Sequence, residues 1–217
     1  AEVVAGTDPL NSLSPFVYRE LEMTADTEFV QLPDDASYAL GRLTFEAWIK
    51  HTGVAGTLLS RTLSGGNDNY EITFADDGTL SLTFHYLALN GTVMSMTLSS
   101  TDKVAAGEWS HVAVSFGPVS GSMTQYEARF YINGEEAGLP AAVPMSALYV
   151  GEDSETAEVQ LGGFIGRMFE ARVWNTARTA NQIASNYNAG LTGTEPGLIG
   201  FFRFDDGGMT IENFVYD

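Results

Sequence analysis

The chain has 217 residues, 44% of them hydrophobic and 12% aromatic, which supplies enough apolar surface for a large single core and excludes disorder as the main state. Asp and Glu number 28 against 10 Lys and Arg, for a formal net charge of -18, and such a field repels nucleic-acid phosphates and anionic membranes. Cysteine is absent, so disulfides, thiolate metal sites and a Cys nucleophile are excluded, and no apolar run reaches the ~18 residues of a membrane helix. A surface rich in carboxylates and nearly free of lysine suits a salty medium or divalent cations; plain solubility is the alternative.

Residues 1–15 read as an arm or linker, and residues 16–217 as one domain. From Leu43 onward the dominant period is two. Leu43, Phe45, Ala47 and Ile49 share one face of a predicted strand, with Thr44, Glu46, Trp48 and Lys50 on the other. Asp77-Gly78 joins two further predicted strands, Tyr70 to Phe74 and Thr79 to Phe84, because Asp-Gly accepts the positive φ of a tight hairpin. Val112, Val114 and Phe116 repeat the alternation after His111, and Asn133-Gly134 ends the run Ala128 to Ile132 with a second hairpin signal. The one helical signal is Thr179-Ala180-Asn181-Gln182, with capping-box spacing, followed by Ile183 and Tyr187 at i and i+4; this helix is expected to cover one end of the molecule. Many short strands without alternating helices predict an all-β fold, a two-sheet antiparallel β-sandwich or jelly roll with one short helix near the C-terminal end.

Catalytic motifs are missing: there is no G-x-S-x-G elbow, no P-loop and no H-E-x-x-H, and His51, His85 and His111 lack metal-ligand spacing. The dense acidic stretch Glu152 to Glu158 lacks the alternating frame of a catalytic strand and reads as a loop. Two segments offer the oxygens that calcium takes in numbers of six to eight: Asn67-Asp68-Asn69, and Glu152 to Glu158 with Gln160. Both also read as ordinary solvated loops.

The chain resembles the laminin-G-like and pentraxin members of the concanavalin A-like sandwiches. The resemblance runs in order through Phe45-Glu46-Ala47-Trp48-Ile49, Leu58-Leu59-Ser60-Arg61, Glu108 to Phe116, Phe130-Tyr131-Ile132-Asn133-Gly134 and Ile165 to Trp174. It implies that Asp68-Asn69 matches the Asp-Asn calcium pair of pentraxins. It further implies Glu152, Asp153, Glu158 and Gln160 as the second calcium element, before Gly163-Phe164-Ile165-Gly166. The acidic loop is shorter than in pentraxins and their two cysteines are absent, so the looser laminin-G-like jelly roll is the better match. Gly197 to Gly207 resembles a segment that in this group lies at domain seams, which implies neighbouring domains in a longer chain.

The expected function is a calcium-dependent recognition module, extracellular or at a cell surface, that binds a carbohydrate or cell-surface ligand through loops at one edge of the sandwich. Asn67, Tyr70, Phe74 and Tyr149 are the expected ligand contacts, Ca2+ the expected cofactor, and neither nucleic acid nor membrane insertion is expected. The alternatives are a spacer or adhesion module stiffened by calcium, and a hydrolase, for which only a carboxylate pair such as Glu46 with Glu71 offers itself.

Overall fold

The computed structural model describes residues 20–87, 91–122, 125–143, 148–151 and 156–204; the segment 1–15 lies outside them. The strands, in chain order, are β1 (Leu21–Met23), β2 (Phe29–Leu32), β3 (Leu43–His51), β4 (Gly56–Leu63), β5 (Asp68–Phe74), β6 (Thr79–Leu87) and β7 (Val93–Lys103). They continue as β8 (Ser110–Pro118), β9 (Tyr126–Ile132), β10 (Glu135–Glu136), β11 (Ala141–Val143), β12 (Ala157–Gly162), β13 (Gly166–Trp174) and β14 (Leu198–Phe202), and the helix α1 spans Ala180–Asn186.

Two antiparallel sheets face each other, as the alternation predicts. One has eight strands, along the path β1-β13-β3-β8-β9-β10 with β14 on β13 and β11 on β9; the other has six, in the order β2-β12-β4-β5-β6-β7. Inward residues at every second position fill the space between them: Phe45, Ile49, Val114 and Phe116 from the larger sheet, Leu59, Ile72, Phe74, Leu82 and Phe84 from the smaller, all buried. Phe84 meets Phe116 across the gap with ring centroids 4.9 Å apart. Burying one such side chain contributes roughly 1.5–3 kcal/mol.

The hairpin signals hold. Asn133 and Gly134 both take positive φ, 52° and 82°. Gly78, at φ 83°, sits so close to the next loop that a Cβ there would lie 2.0 Å from the Val104 carbonyl oxygen, so only glycine closes this turn.

The two outer faces differ, and this decides where a ligand can approach. On the eight-stranded sheet the outward residues are covered: Thr44, Glu46, His111 and Arg172 are all at most 1% exposed. The cover is α1, whose Ile183 packs on Ala113 and Tyr131, and the segment before it. The helix starts on the predicted capping box, with the Thr179 hydroxyl accepting from the Gln182 N–H and the Gln182 side chain accepting from the Thr179 N–H. It lies on a sheet face and not over an end of the sandwich, because the Trp48 indole N–H donates to the Tyr187 carbonyl and the Arg172 guanidinium donates to the carbonyls of Asn186 and Ala189. Glu46, the aromatic cluster of Trp48, Phe169 and His111, and Arg178 stacked 4.1 Å over Trp174 lie under or beside this cover.

Candidate ligand-binding face

Polar residues line the outer face of the six-stranded sheet. Strand register puts Gln31, Gln160, Ser60, Glu71, Thr83 and Thr97 in one row across all six strands. At one interstrand spacing of ~4.8 Å per step this row is roughly 24 Å wide. Hydroxyl pairs Ser81 with Ser99 and Thr83 with Thr97, each at 2.9 Å, tie the far strands together on this face. The alternation that buries Ile72 and Phe74 turns Glu71 and Thr73 outward.

Asp68 joins this face through a bulge. The register shifts between Arg61 and Thr62 so that Thr62 faces Asp68 on β5 and Glu158 on β12. Asp68 and Glu158 therefore flank Thr62, one strand to either side. The Thr62 hydroxyl donates to Asp68 Oδ1 at 2.7 Å, and the Asp68 N–H donates to the His85 ring at 2.9 Å. Burial, and then the negative charge of Asp68, push the Glu71 carboxyl above the usual range.

Asn69 goes the other way. It is completely buried, its Oδ1 accepting the Leu40 N–H at 3.2 Å while its Nδ2 donates to the carbonyls of Leu40 and Tyr149, each at 3.0 Å. The Arg61 guanidinium also reaches Asn69 Oδ1, at 3.4 Å, and donates to the Val150 carbonyl at 2.9 Å. An ion on the Asn69 oxygen would have to displace these donors.

The flanks of the acidic loop are fixed beside this corner. Tyr149 and Val150 are held by Asn69 and Arg61, the Ala157 N–H donates to Asp34 at 2.9 Å, and the Ser64 N–H donates to the Thr156 carbonyl at 2.8 Å. Of the expected ligands, Glu152 and Asp153 lie outside the described residues. Glu158 is exposed and Gln160 half-buried on the open face, on alternate positions of β12.

As a calcium donor set, Asp68, Thr62, Glu158 and Gln160 have the right chemistry, since hard cations take oxygen and these side chains offer it. Their number falls short of six, and among the described residues no group of three or more His, Asp or Glu is placed to hold a metal ion.

The expected ligand contacts need correction. Tyr70 and Phe74 are at most 1% exposed; Tyr70 donates to the Tyr38 carbonyl and Phe74 packs on His51 and Phe164, so neither has a face for a ligand. Tyr149 is also buried, which leaves Asn67, half-buried in the β4–β5 turn that its carbonyl closes by accepting from the Leu63 N–H, as the one expected contact still open to a ligand. The sequence reading missed the row from Gln31 to Thr97; strict alternation along β5, read outward as well as inward, was the signal that carried it. Glu46 and Glu71 lie on opposite outer faces of the sandwich, so they form no catalytic pair.

Known structures share this backbone. A putative carbohydrate-binding protein from Bacteroides ovatus is 19% identical over 89% of this chain and 54% of its own, with a TM-score of 0.63, so the chain spans about half of that protein. The CBM40 of a Ruminococcus gnavus sialidase, solved with α2,3-sialyllactose, is 18% identical over 77% of this chain and 95% of its own, at 0.52. Domains LG4-5 of the mouse laminin α1 chain give 13% identity over 80% of this chain and 48% of theirs, also at 0.52. No curated protein matches the sequence. A family profile described as the concanavalin A-like lectin/glucanases superfamily matches residues 24–184, most of the chain, and the protein belongs to that superfamily.

Proposed function

We propose that the chain is a non-catalytic carbohydrate-recognition module whose ligand lies on the outer face of the six-stranded sheet, against the corner formed by Asp68 and Glu158. The observation that carries this reading is the asymmetry of the two outer faces. One is largely covered by α1, and the other presents hydroxyl, carboxamide and carboxylate groups in register with, among the described residues, no helix over them. Such groups match the alternating donors and acceptors of sugar hydroxyls. The carbohydrate-binding modules among the structural neighbours accord with this, and the extracellular setting follows from such a role.

The same reading includes calcium, held by Asp68, Glu158 and Gln160 with water. When bound, the ion supplies positive charge and coordination sites for ligand hydroxyls. Asp68 and Glu158 supply the charge on either side of Thr62, Thr62 orients Asp68, and Asn69 and Arg61 hold the flank of the acidic loop against β5.

Thermal unfolding tests the calcium part. Saturating calcium at ~100 times its Kd adds about 2.7 kcal/mol, which raises Tm by about 5–10 °C for a domain of this size. Chelator is expected to remove that rise, and Asp68→Ala to abolish the response while folding normally. An unchanged Tm in calcium contradicts calcium binding. A glycan microarray probed in calcium and in chelator tests recognition, with hits expected to weaken in Glu71→Ala.

A further inference from the structure

The outer face of the eight-stranded sheet, largely covered, keeps an opening. Between β8, β9 and the start of α1 lies a cleft of about 340 Å³, large enough for a small ligand. Ser115, buried, Glu127 and Arg129, half-buried, and Asn181, exposed, line it. Arg129 Nε donates to Glu127 Oε1 at 2.8 Å and its Nη1 donates to Glu136. Glu127 Oε2, Arg129 Nη2 and the Asn181 carboxamide make no hydrogen bond among the described residues. Further along β9 the buried Tyr131 hydroxyl lies beside Ser115.

From this arrangement we infer a second ligand site, on the sheet opposite the proposed one, that takes a single non-acidic pyranose without calcium. A vicinal diol has one hydroxyl to donate to Glu127 Oε2 and a neighbour to accept from Arg129 Nη2, while Asn181 offers one donor and one acceptor. The charge selects against acidic sugars. Two carboxylates outnumber the one guanidinium of this cluster, and the other arginine of the cleft, Arg178, is paired with Glu46. A sialate or uronate would meet Glu127 and Glu136 with no spare positive charge to offset them. Gly117 keeps the cleft walls close, since a Cβ there would lie 2.4 Å from the Cβ of Ala177.

The site is tested on the whole chain in chelator, with Asp68→Ala to silence the six-stranded face. Methyl glycosides of glucose, galactose and mannose, with glucuronate, sialic acid and glucosamine, are titrated while backbone amide shifts are followed by NMR. A neutral glycoside is expected to shift the amides of Ser120 and Asn181 saturably. Glu127→Gln and Asn181→Ala are expected to weaken it roughly 10-fold. Asn181 is exposed at the start of α1 with no side-chain partner among the described residues, so its variant reads the site even where Glu127→Gln disturbs the pairing with Arg129. The inference is overturned if no neutral sugar shifts these amides, if both variants bind as wild type does, or if an acidic sugar binds the cleft more tightly than a neutral one or glucosamine. Because chelator and Asp68→Ala are present throughout, none of these results depends on the proposed site on the other sheet.

Discussion

Glu46→Gln is expected to lower the unfolding free energy by about 3–5 kcal/mol, a large share of the 5–15 kcal/mol that holds a typical domain. Glu46 is fully buried beneath the helix face. It pairs with the Arg178 guanidinium, lies 3.6 Å from that of Arg172 and 3.4 Å from His111 Nε2. Glutamine keeps the shape and removes the charge, leaving two buried guanidinium groups with Glu170, 3.3 Å from Arg172, as their remaining carboxylate nearby. Urea denaturation at neutral pH measures the loss. The double variant Glu46→Leu with Arg178→Met is expected to be more stable than Glu46→Gln, since removing both charges also removes their desolvation. A loss under about 1 kcal/mol for the single variant would place the pair among energetically minor contacts.

The same cluster sets the response to acid. Burial raises the Glu46 carboxyl, but contact with His111 and Arg178 outweighs it and leaves the group below its ordinary range. A depressed carboxylate stabilises the fold above its unfolded value and loses that contribution as pH falls. Burial also depresses the His111 imidazole, against the pull of Glu46. Because the unfolded chain binds that proton more readily, His111 too makes the fold weaker as pH falls, beginning near the ordinary imidazole value of about 6.5. Both signs agree, so stability declines from about pH 6.5 downward and more steeply once Glu46 titrates.

Asn69→Ala carries the second large effect, about 2–4 kcal/mol. The substitution strips the Leu40 N–H and the carbonyls of Leu40 and Tyr149 of a buried partner, and each polar group left unpaired costs roughly 1–3 kcal/mol. Asn69→Asp is no rescue, because an aspartate turns a second oxygen toward the two carbonyls that now accept from Nδ2. Chemical denaturation gives the magnitude, and faster hydrogen exchange at Leu40 gives the location. Both variants leave Asp68 in the chain, so a weakened calcium response in Asn69→Ala reports the loss of the scaffold that holds Tyr149 against β5.

The strands were legible because their inward faces alternate so strictly, as in Leu43 to Ile49, and because Asp-Gly and Asn-Gly mark the hairpins. The helix was legible from its capping box. Its position was not, since the contacts that place it, Trp48 with Tyr187 and Arg172 with Asn186, join residues far apart in sequence. The site was only half legible. Asp68 reads outward only because of a bulge, and a one-residue bulge sends its neighbour Asn69 inward, which composition and spacing do not encode. Aromatic residues near the loop suggested stacking platforms, yet Tyr70 and Phe74 follow the inward phase of β5 and belong to the core. Glu71, in the outward phase between them, has the surface they lack.

The central claim is that ligand binds the open face of the six-stranded sheet. Its most direct measurement is a residue-resolved NMR titration of the whole chain, in calcium, with the strongest glycan from a microarray. The predicted result is a set of saturable shifts at Ser60, Asp68, Glu71, Thr83 and Gln160 that need higher ligand concentrations in Glu71→Ala. Shifts confined to the cleft beside α1, or no binding by any glycan, would contradict it.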